Sequence, residues 1–314
     1  MRNLLNHFSI MLAKFSACFA HQKLILKKII RENIMQNGII LLNKPAGISS
    51  NSAVNKVKYM LKANKAGHLG TLDVLGEGLL PITINKATKL FDYFLKKDKT
   101  YLTIFKFGQT SPTLDMEGPL SEEDANLDLQ EKDIEQILSK FIGRQNQMPP
   151  SYSAKKINGK KAYQLARAGM ETNLKPKQIE IYDIKLLKKT AKNTFEFEID
   201  CSSGTFIRAI CRDMAKELST YGVMQRIIRT RCGCFSLKDA VTLKDIEQGK
   251  FSVISPEVLF EQPRLDLNQT QFEALQNGRN LQTDEGQFKI FFKNQFLGLG
   301  QCEKGKFKML IRLF

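Results

Sequence analysis

The sequence predicts an α+β protein, and three observations lead there. Strand-like alternation recurs along the chain, as in KTYLTIFKF at 99–107, where Tyr101, Thr103, Phe105 and Phe107 share one face. Helix-like spacing recurs between such runs, as at 50–61, where Ala53, Val54, Val57, Met60 and Leu61 fall on one side. The 314 residues hold no internal repeat or low-complexity tract, and they suffice for one main domain and a smaller one.

Residues 1–34 carry six basic residues and one acid, Glu32, with Lys14 interrupting any uncharged core. Met35 stands just ahead of GIILLNKPAGISS, so the extension reads as a misassigned start rather than a transit or signal segment, and is expected to pack loosely. Gly38–Leu42 is a short apolar strand, broken by Asn43-Lys44-Pro45-Ala46-Gly47. Ser49, Ser50 and Asn51 then offer N-caps for the first helix.

The central stretch is KAGHLGTLDVLGEGLLPITI, residues 65–84, in which four glycines surround Asp73 and an apolar strand follows. Two readings stand: a turn or cap aspartate, or a carboxylate presented at the base of a cleft by a loop that glycine lets bend sharply. The stretch fits neither GxxxxGK[ST] nor GxGxxG before a helix, so phosphate cradling is not indicated. Beyond the strand at 99–107, GQTSPTLDMEGPL is a turn-rich connection carrying Asp115 and Glu117, and 131–142 has helical spacing.

Positive charge concentrates at 140–177. Nine basic residues (Lys140, Arg144, Lys155, Lys156, Lys160, Lys161, Arg167, Lys175, Lys177) face one acid, Glu171, with Tyr152, Tyr163, Gly159 and Gly169 interleaved. This is either a solvated charged loop and helix or an element that grips a phosphate backbone. Residues 179–187 and 194–201 read as a strand pair. SSGTFIRAICRDMAKEL is a turn into a helix with Ile207, Cys211, Met214 and Leu218 on its apolar side and Arg208 and Arg212 together on one face. In the strand run 223–235, Arg226, Arg229 and Arg231 add positive charge, and a helix at 269–277 precedes three alternating strands.

Composition narrows the function. Hydrophobic content of 42% and charged content of 25% are those of an ordinary soluble domain, yet Lys plus Arg total 48 against 32 acids, a net +16 that points to a polyanionic partner. Six cysteines without a CxxC argue for reduced thiols in a cytoplasmic protein, and against a zinc site or disulfide frame. His7 and His21 lie in the extension, so the body has only His68; His-rich metal sites are excluded and any histidine triad depends on that ring. No run approaches the roughly 20 apolar residues of a membrane span.

Five segments in order, LNKPAGISS, GHLGTLDVLGEGLLPI, PPSYSAKKINGKKAYQLARAG, SGTFIRA and RIIRTRCGCF, resemble the bacterial tRNA pseudouridine-55 synthase family over about Met35–Phe314. The resemblance implies a mixed, mostly antiparallel sheet flanked by helices in a catalytic domain, 35–250, and a small β-rich PUA-like domain, 251–314. It makes Asp73 the nucleophile, Arg208 its ion-pair partner and Tyr101 the residue that stacks on the extruded base. Ile227 lines the uracil pocket, Lys44 lies near the cleft, and His68 either bridges loop phosphates or fills the vacated space. Lys155, Lys156, Lys160 and Lys161 belong to the RNA-gripping element. Two positions depart from the family pattern: Val74 stands in place of proline, and Phe206 in place of tyrosine, so only packing or stacking survives there. The implied partner is the T-arm loop of tRNA, with no metal, cofactor, membrane or obligate protein partner, and a monomer. The rival readings are a tRNA-binding and folding factor on the same fold, a guide-dependent synthase, and a plain basic metabolic enzyme.

Overall fold

The apolar run GIILL belongs to a strand, Gly38–Lys44 (β1), that is covered on both faces in the computed structural model. Ile40 and Leu42 enter the core on one side, while Ile39 and Leu41 enter a second cluster on the other. That double burial is why the run is continuously apolar and does not alternate. The structure describes residues 37–314 except 96, 123, 125, 154–155, 158–159, 163–167, 169 and 171–173. The extension 1–34 lies outside the described residues, as do Lys155, Gly159, Tyr163, Arg167, Gly169 and Glu171 of the basic stretch.

After β1 come helix α1 (Ser50–Leu61), strands β2 (Ala66–His68) and β3 (Glu77–Ile84), helix α2 (Phe91–Leu95) and strand β4 (Lys99–Phe107). Strands β5 (Gln109–Thr110) and β6 (Ser121–Glu122) bracket the turn-rich connection, and α3 (Glu131–Leu138) precedes β7 (Gly143–Gln147). The short pair β8 (Lys156–Ile157) and β9 (Lys160–Lys161) leads to the hairpin of β10 (Lys177–Ala191) and β11 (Thr194–Cys201). Helix α4 (Ile207–Glu217), strands β12 (Gly222–Cys232) and β13 (Phe235–Ser236) and helix α5 (Leu243–Glu247) follow. The last section holds β14 (Arg264–Asp266), α6 (Gln269–Gln276), β15 (Gly286–Phe292), β16 (Gln295–Glu303) and β17 (Lys306–Arg312).

Among the described residues, nine strands form one sheet in the order β1-β3-β12-β4-β11-β10-β7, with β2 beside β3 and β13 beside β12. Every pairing is antiparallel except β3 with β12, which touch in parallel through Ile228 with Glu77 and Arg229 with Gly78. The mixed, mostly antiparallel sheet implied by the resemblance is therefore present. The alternation along β4 is as expected, with Tyr101, Thr103, Phe105 and Phe107 all inward.

Helices α1, α3, α4 and α5 cover one face. Ser49 caps α1 by accepting the Ser52 N–H, and Ala53, Val54, Val57 and Leu61 face the sheet, where burial of each valine or leucine side chain contributes about 1.5–3 kcal/mol. Helix α4 buries Ile207, Cys211 and Met214 as the spacing predicts, and Arg208 beside them. Helix α3 is shorter than 131–142, because 139–141 tighten into a 3₁₀ turn.

The four-stranded sheet β14-β15-β16-β17 packs against the other face of the first. Phe291, Phe296, Leu299 and Leu313 share one cluster with Ile39, Leu41, Leu79 and Phe94, so this section is docked through apolar burial. Ile254 exchanges backbone hydrogen bonds of 2.9 and 2.8 Å with Ile39, so the chain beyond residue 250 still edges β1, and the second sheet begins at Arg264. Among the described residues no helix is long and apolar enough to cross a membrane.

Candidate active site

Asp73 sits in the loop between β2 and β3, where β3 meets β12, and the backbone of that loop is held at successive residues. The buried Ser50 hydroxyl donates to the Leu72 carbonyl and accepts the Leu72 N–H, both at 2.8 Å. Arg229, only 1% exposed, donates to the carbonyls of Leu79 at 2.8 Å and Gly70 at 3.0 Å, with a longer contact of 3.4 Å to Thr71. The Val74 carbonyl accepts from the Gly47 N–H at 2.9 Å and from Lys44 Nζ at 3.2 Å, and the Gly76 N–H closes a turn on the Asp73 carbonyl at 3.0 Å. Gly78 is required at the junction: its φ is +96°, and a Cβ there would meet the Arg229 carbonyl oxygen at 2.5 Å.

Arg208, on the first turn of α4, pairs with two carboxylates. Nη2 lies 3.0 Å from Asp73 Oδ2, and Nη1 lies 3.1 Å from Asp115 Oδ2. The same nitrogens donate to the carbonyls of Thr113 at 2.8 Å and Tyr152 at 3.2 Å. The planar fork, with donors on both terminal nitrogens, suits this sharing. Asp115 is buried and further held by the Thr113 hydroxyl at 2.6 Å and the Glu117 N–H at 3.0 Å. Burial at the cavity floor raises the Asp73 carboxyl above its ordinary 3.8, Arg208 opposes that rise, and Asp115 adds to it. The arrangement thus sets a half-exposed carboxylate, raised by its partial burial, against a buried cation that opposes the rise.

A cavity of about 580 Å³ opens above Asp73, with Tyr101, Phe206, Met224 and Ile227 as its apolar and aromatic walls and Lys99 and Arg229 behind. This volume is within the usual range for a small-ligand site. Burial pushes the Tyr101 phenol well above its ordinary range, with the nearby Arg229 charge opposing the rise. On the other side of Asp73 and Arg208 a second depression of about 690 Å³ is lined by His68, Asn51, Thr113 and Tyr152. His68 Nδ1 is buried without a hydrogen-bond partner among the described residues, and burial together with Arg229 lowers the basicity of the ring.

The structure therefore brings Asp73, Tyr101, Phe206, Arg208 and Ile227 into one cavity and sets His68 in the adjoining one. Lys44 lies beneath the loop, fully buried, with Nζ donating to the carbonyls of Pro45, Ile48 and Val74 and its basicity lowered by burial to about 8. Lys155 lies outside the described residues, and of Lys156, Lys160 and Lys161 only the backbone is described, as the β8–β9 pair. Two other cations of that stretch have acidic partners from elsewhere, Lys140 with Glu217 at 2.6 Å and Arg144 with Glu180 at 3.3 Å.

The three arginines that add positive charge to β12 are each engaged: Arg226 pairs with Glu77, Arg231 with Asp200, and Arg229 is an internal brace of the Asp73 loop. Sequence reasoning passed over Asp115 and Ser50 as site residues. Thr113, Asp115 and Gly118 carry turn chemistry that marks an ordered loop, but nothing local points it at Arg208.

Residues 58–207 match the family model described as TruB family pseudouridylate synthase, N-terminal domain. A protein named tRNA pseudouridine synthase B from Caldanaerobacter subterraneus subsp. tengcongensis is 33% identical over 277 residues, covering 87% of this chain and 97% of that one. The protein of the same name from Aquifex aeolicus is 36% identical over 281 residues, covering 86% and 96%. In three dimensions, a chain of an archaeal box H/ACA sRNP Nop10-Cbf5 complex aligns with a TM-score of 0.63 at 20% identity, covering 90% of this chain and 88% of that one, which is a likeness of fold.

Proposed function

The chain belongs to the TruB family of pseudouridylate synthases, and from that premise we propose that its cavity takes up uridine 55 of the tRNA T-arm loop and isomerises it to pseudouridine, with Asp73 as nucleophile. The observation that carries this reading is the Asp73–Arg208 pair at 3.0 Å on the floor of a cavity walled by Tyr101, Phe206 and Ile227.

The isomerisation breaks the bond from uracil N1 to the sugar carbon, turns the ring, and forms a bond from C5 to the same carbon. A proton leaves C5 and one is gained at N1, so atoms and electrons balance without an oxidant or co-substrate. The ionised carboxylate supplies the covalent partner, at the uracil ring or at the sugar carbon, that divides this change into easier steps. Arg208 favours that ionised form against the partial burial that opposes it. The base is stacked within the tRNA loop and must swing out to reach the floor, where Tyr101 stacks on it and Ile227 closes the apolar side. With its basicity lowered, His68 suits filling the vacated space better than bridging phosphates.

The catalytic unit takes in residues 35–250 and the connection through Ile254 that edges β1, and the rest of 251–314, with its sheet from Arg264, is a PUA-like unit that shares the grip on RNA with the basic stretch 140–177, including Lys155, Lys156, Lys160 and Lys161. Phosphate contacts position the RNA, and its shape and loop bases select it. The protein acts in the cytoplasm as a monomer, without cofactor, metal or protein partner.

Pseudouridine mapping at single-nucleotide resolution on an unmodified tRNA transcript tests the reading. Modification of uridine 55 by the wild type and not by Asp73→Asn is expected. Tight binding without modification would replace it by the folding-factor reading, and modification at another uridine would overturn the substrate.

A further inference from the structure

The geometry points to Gln147 as a positioning residue for the Asp73–Arg208 pair, acting through the backbone of Phe206; the inference rests on the synthase reading above. Gln147 ends β7, opposite Lys177 on β10, and is 3% exposed. Its amide engages both backbone groups of a single residue. Nε2 donates to the Phe206 carbonyl at 3.1 Å, and Oε1 accepts the Phe206 N–H at 2.8 Å.

Phe206 is where α4 begins. It is extended, with no side-chain cap bond, and its carbonyl accepts from the N–H groups of Ala209 at 3.0 Å and Ile210 at 3.2 Å. The residue that Gln147 clamps therefore sets the start of the helix, and Arg208 follows two positions later. The Phe206 ring is itself a wall of the cavity. Contacts on either side share this task. The carbonyls of Met148 and Tyr152 accept from Arg212 at 3.0 Å and Arg208 at 3.2 Å, and Lys177 Nζ donates to the Ser203 carbonyl at 2.9 Å. Ser202 and Glu180 also bond twice, Ser202 N–H to the Glu180 carbonyl and Glu180 N–H to Ser202 Oγ, each at 2.8 Å. The turn at 202–206 is thus gripped by β7 and β10, the two strands from which the basic stretch departs.

The clamp needs a donor and an acceptor in one plane, which a primary amide provides. Leucine fills similar space and bonds to neither group. Ionised glutamate accepts the Phe206 N–H but cannot donate to its carbonyl. Misplacement of a reacting group by about 1 Å costs about 10²-fold in rate, so a small drift of α4 registers as chemistry and not as affinity.

Single-turnover pseudouridine formation, tRNA affinity and the pH profile of the rate are measured for wild type, Gln147→Leu and Gln147→Glu, at a temperature where melting curves show all three folded. Gln147→Leu is expected to react about 10²-fold more slowly with tRNA affinity within about twofold, and Gln147→Glu to fall between it and wild type. The acid limb of the Gln147→Leu profile moves to higher pH, because a misaligned Arg208 opposes the rise of the Asp73 carboxyl less. A Gln147→Leu rate within about threefold of wild type overturns the inference, as does a loss of rate matched by a loss of affinity with the acid limb unmoved. A wild type that binds the transcript without modifying it overturns the synthase reading first, and this inference with it.

Discussion

Arg208→Met removes a cation shared by two carboxylates, and the cost divides unequally between them. The Asp115 side chain is 4% exposed and that of Asp73 is 41% exposed. Breaking a buried pair costs about 3–5 kcal/mol, because the charge left behind has neither water nor counter-ion, whereas a solvated pair is worth about 0–1 kcal/mol. Asp115 keeps the Thr113 hydroxyl and the Glu117 N–H, which places its share at the low end, about 3 kcal/mol, to which the loss of the donor to the Thr113 and Tyr152 carbonyls adds. Adding Asp115→Asn removes the stranded charge and leaves an oxygen for those two donors, so the double variant should recover about 2 kcal/mol. Its activity should stay lost, since Asp73 still lacks its cation and its carboxyl climbs further. Urea unfolding measures the first effect and single-turnover pseudouridine formation the second. An Arg208→Met protein within about 1 kcal/mol of wild type would refute this division, as would a double variant that regains both stability and rate.

The active form of Asp73 is ionised and its carboxyl is raised, so activity should fall with decreasing pH at values above the ordinary 3.8, read from the acid limb of the single-turnover rate. Burial lowers Lys44 from 10.5 to about 8, so between those values the unfolded chain binds the extra proton; wild type should gain stability over Lys44→Met as pH rises through that window and show no such trend below it, in paired urea titrations. Arg229→Met strands the Leu79 and Gly70 carbonyls, and should cost about 2–3 kcal/mol in urea and slow the reaction while tRNA affinity holds. If the basic stretch grips phosphates, log affinity for tRNA should fall linearly with log salt, by roughly 0.7–0.9 per contact, and a flat response in a binding titration would remove that role.

Local signals determined much of this protein. The alternation of β4, the cap and apolar stripe of α1, the hairpin of β10 and β11 and the three C-terminal strands are properties of short windows, and each element is present, although β10 runs past 179–187 at both ends and β16 is buried almost continuously where alternation is expected. Motif strings likewise placed Asp73, Tyr101, Phe206, Arg208 and Ile227 on their elements, and these five line one cavity. Buried charge was not legible, because a window of sequence assigns Arg208, Arg229 and Lys44 to a solvated face by their polarity. Charges enter a core only where partners from distant segments converge on them. Thr113, Asp115 and Tyr152 meet Arg208, and Gly70 and Leu79 meet Arg229. Which residues could act was therefore written in the sequence, while which of them hold Asp73 in place was decided by the sheet order that carries β12 and α4 to the β2–β3 loop.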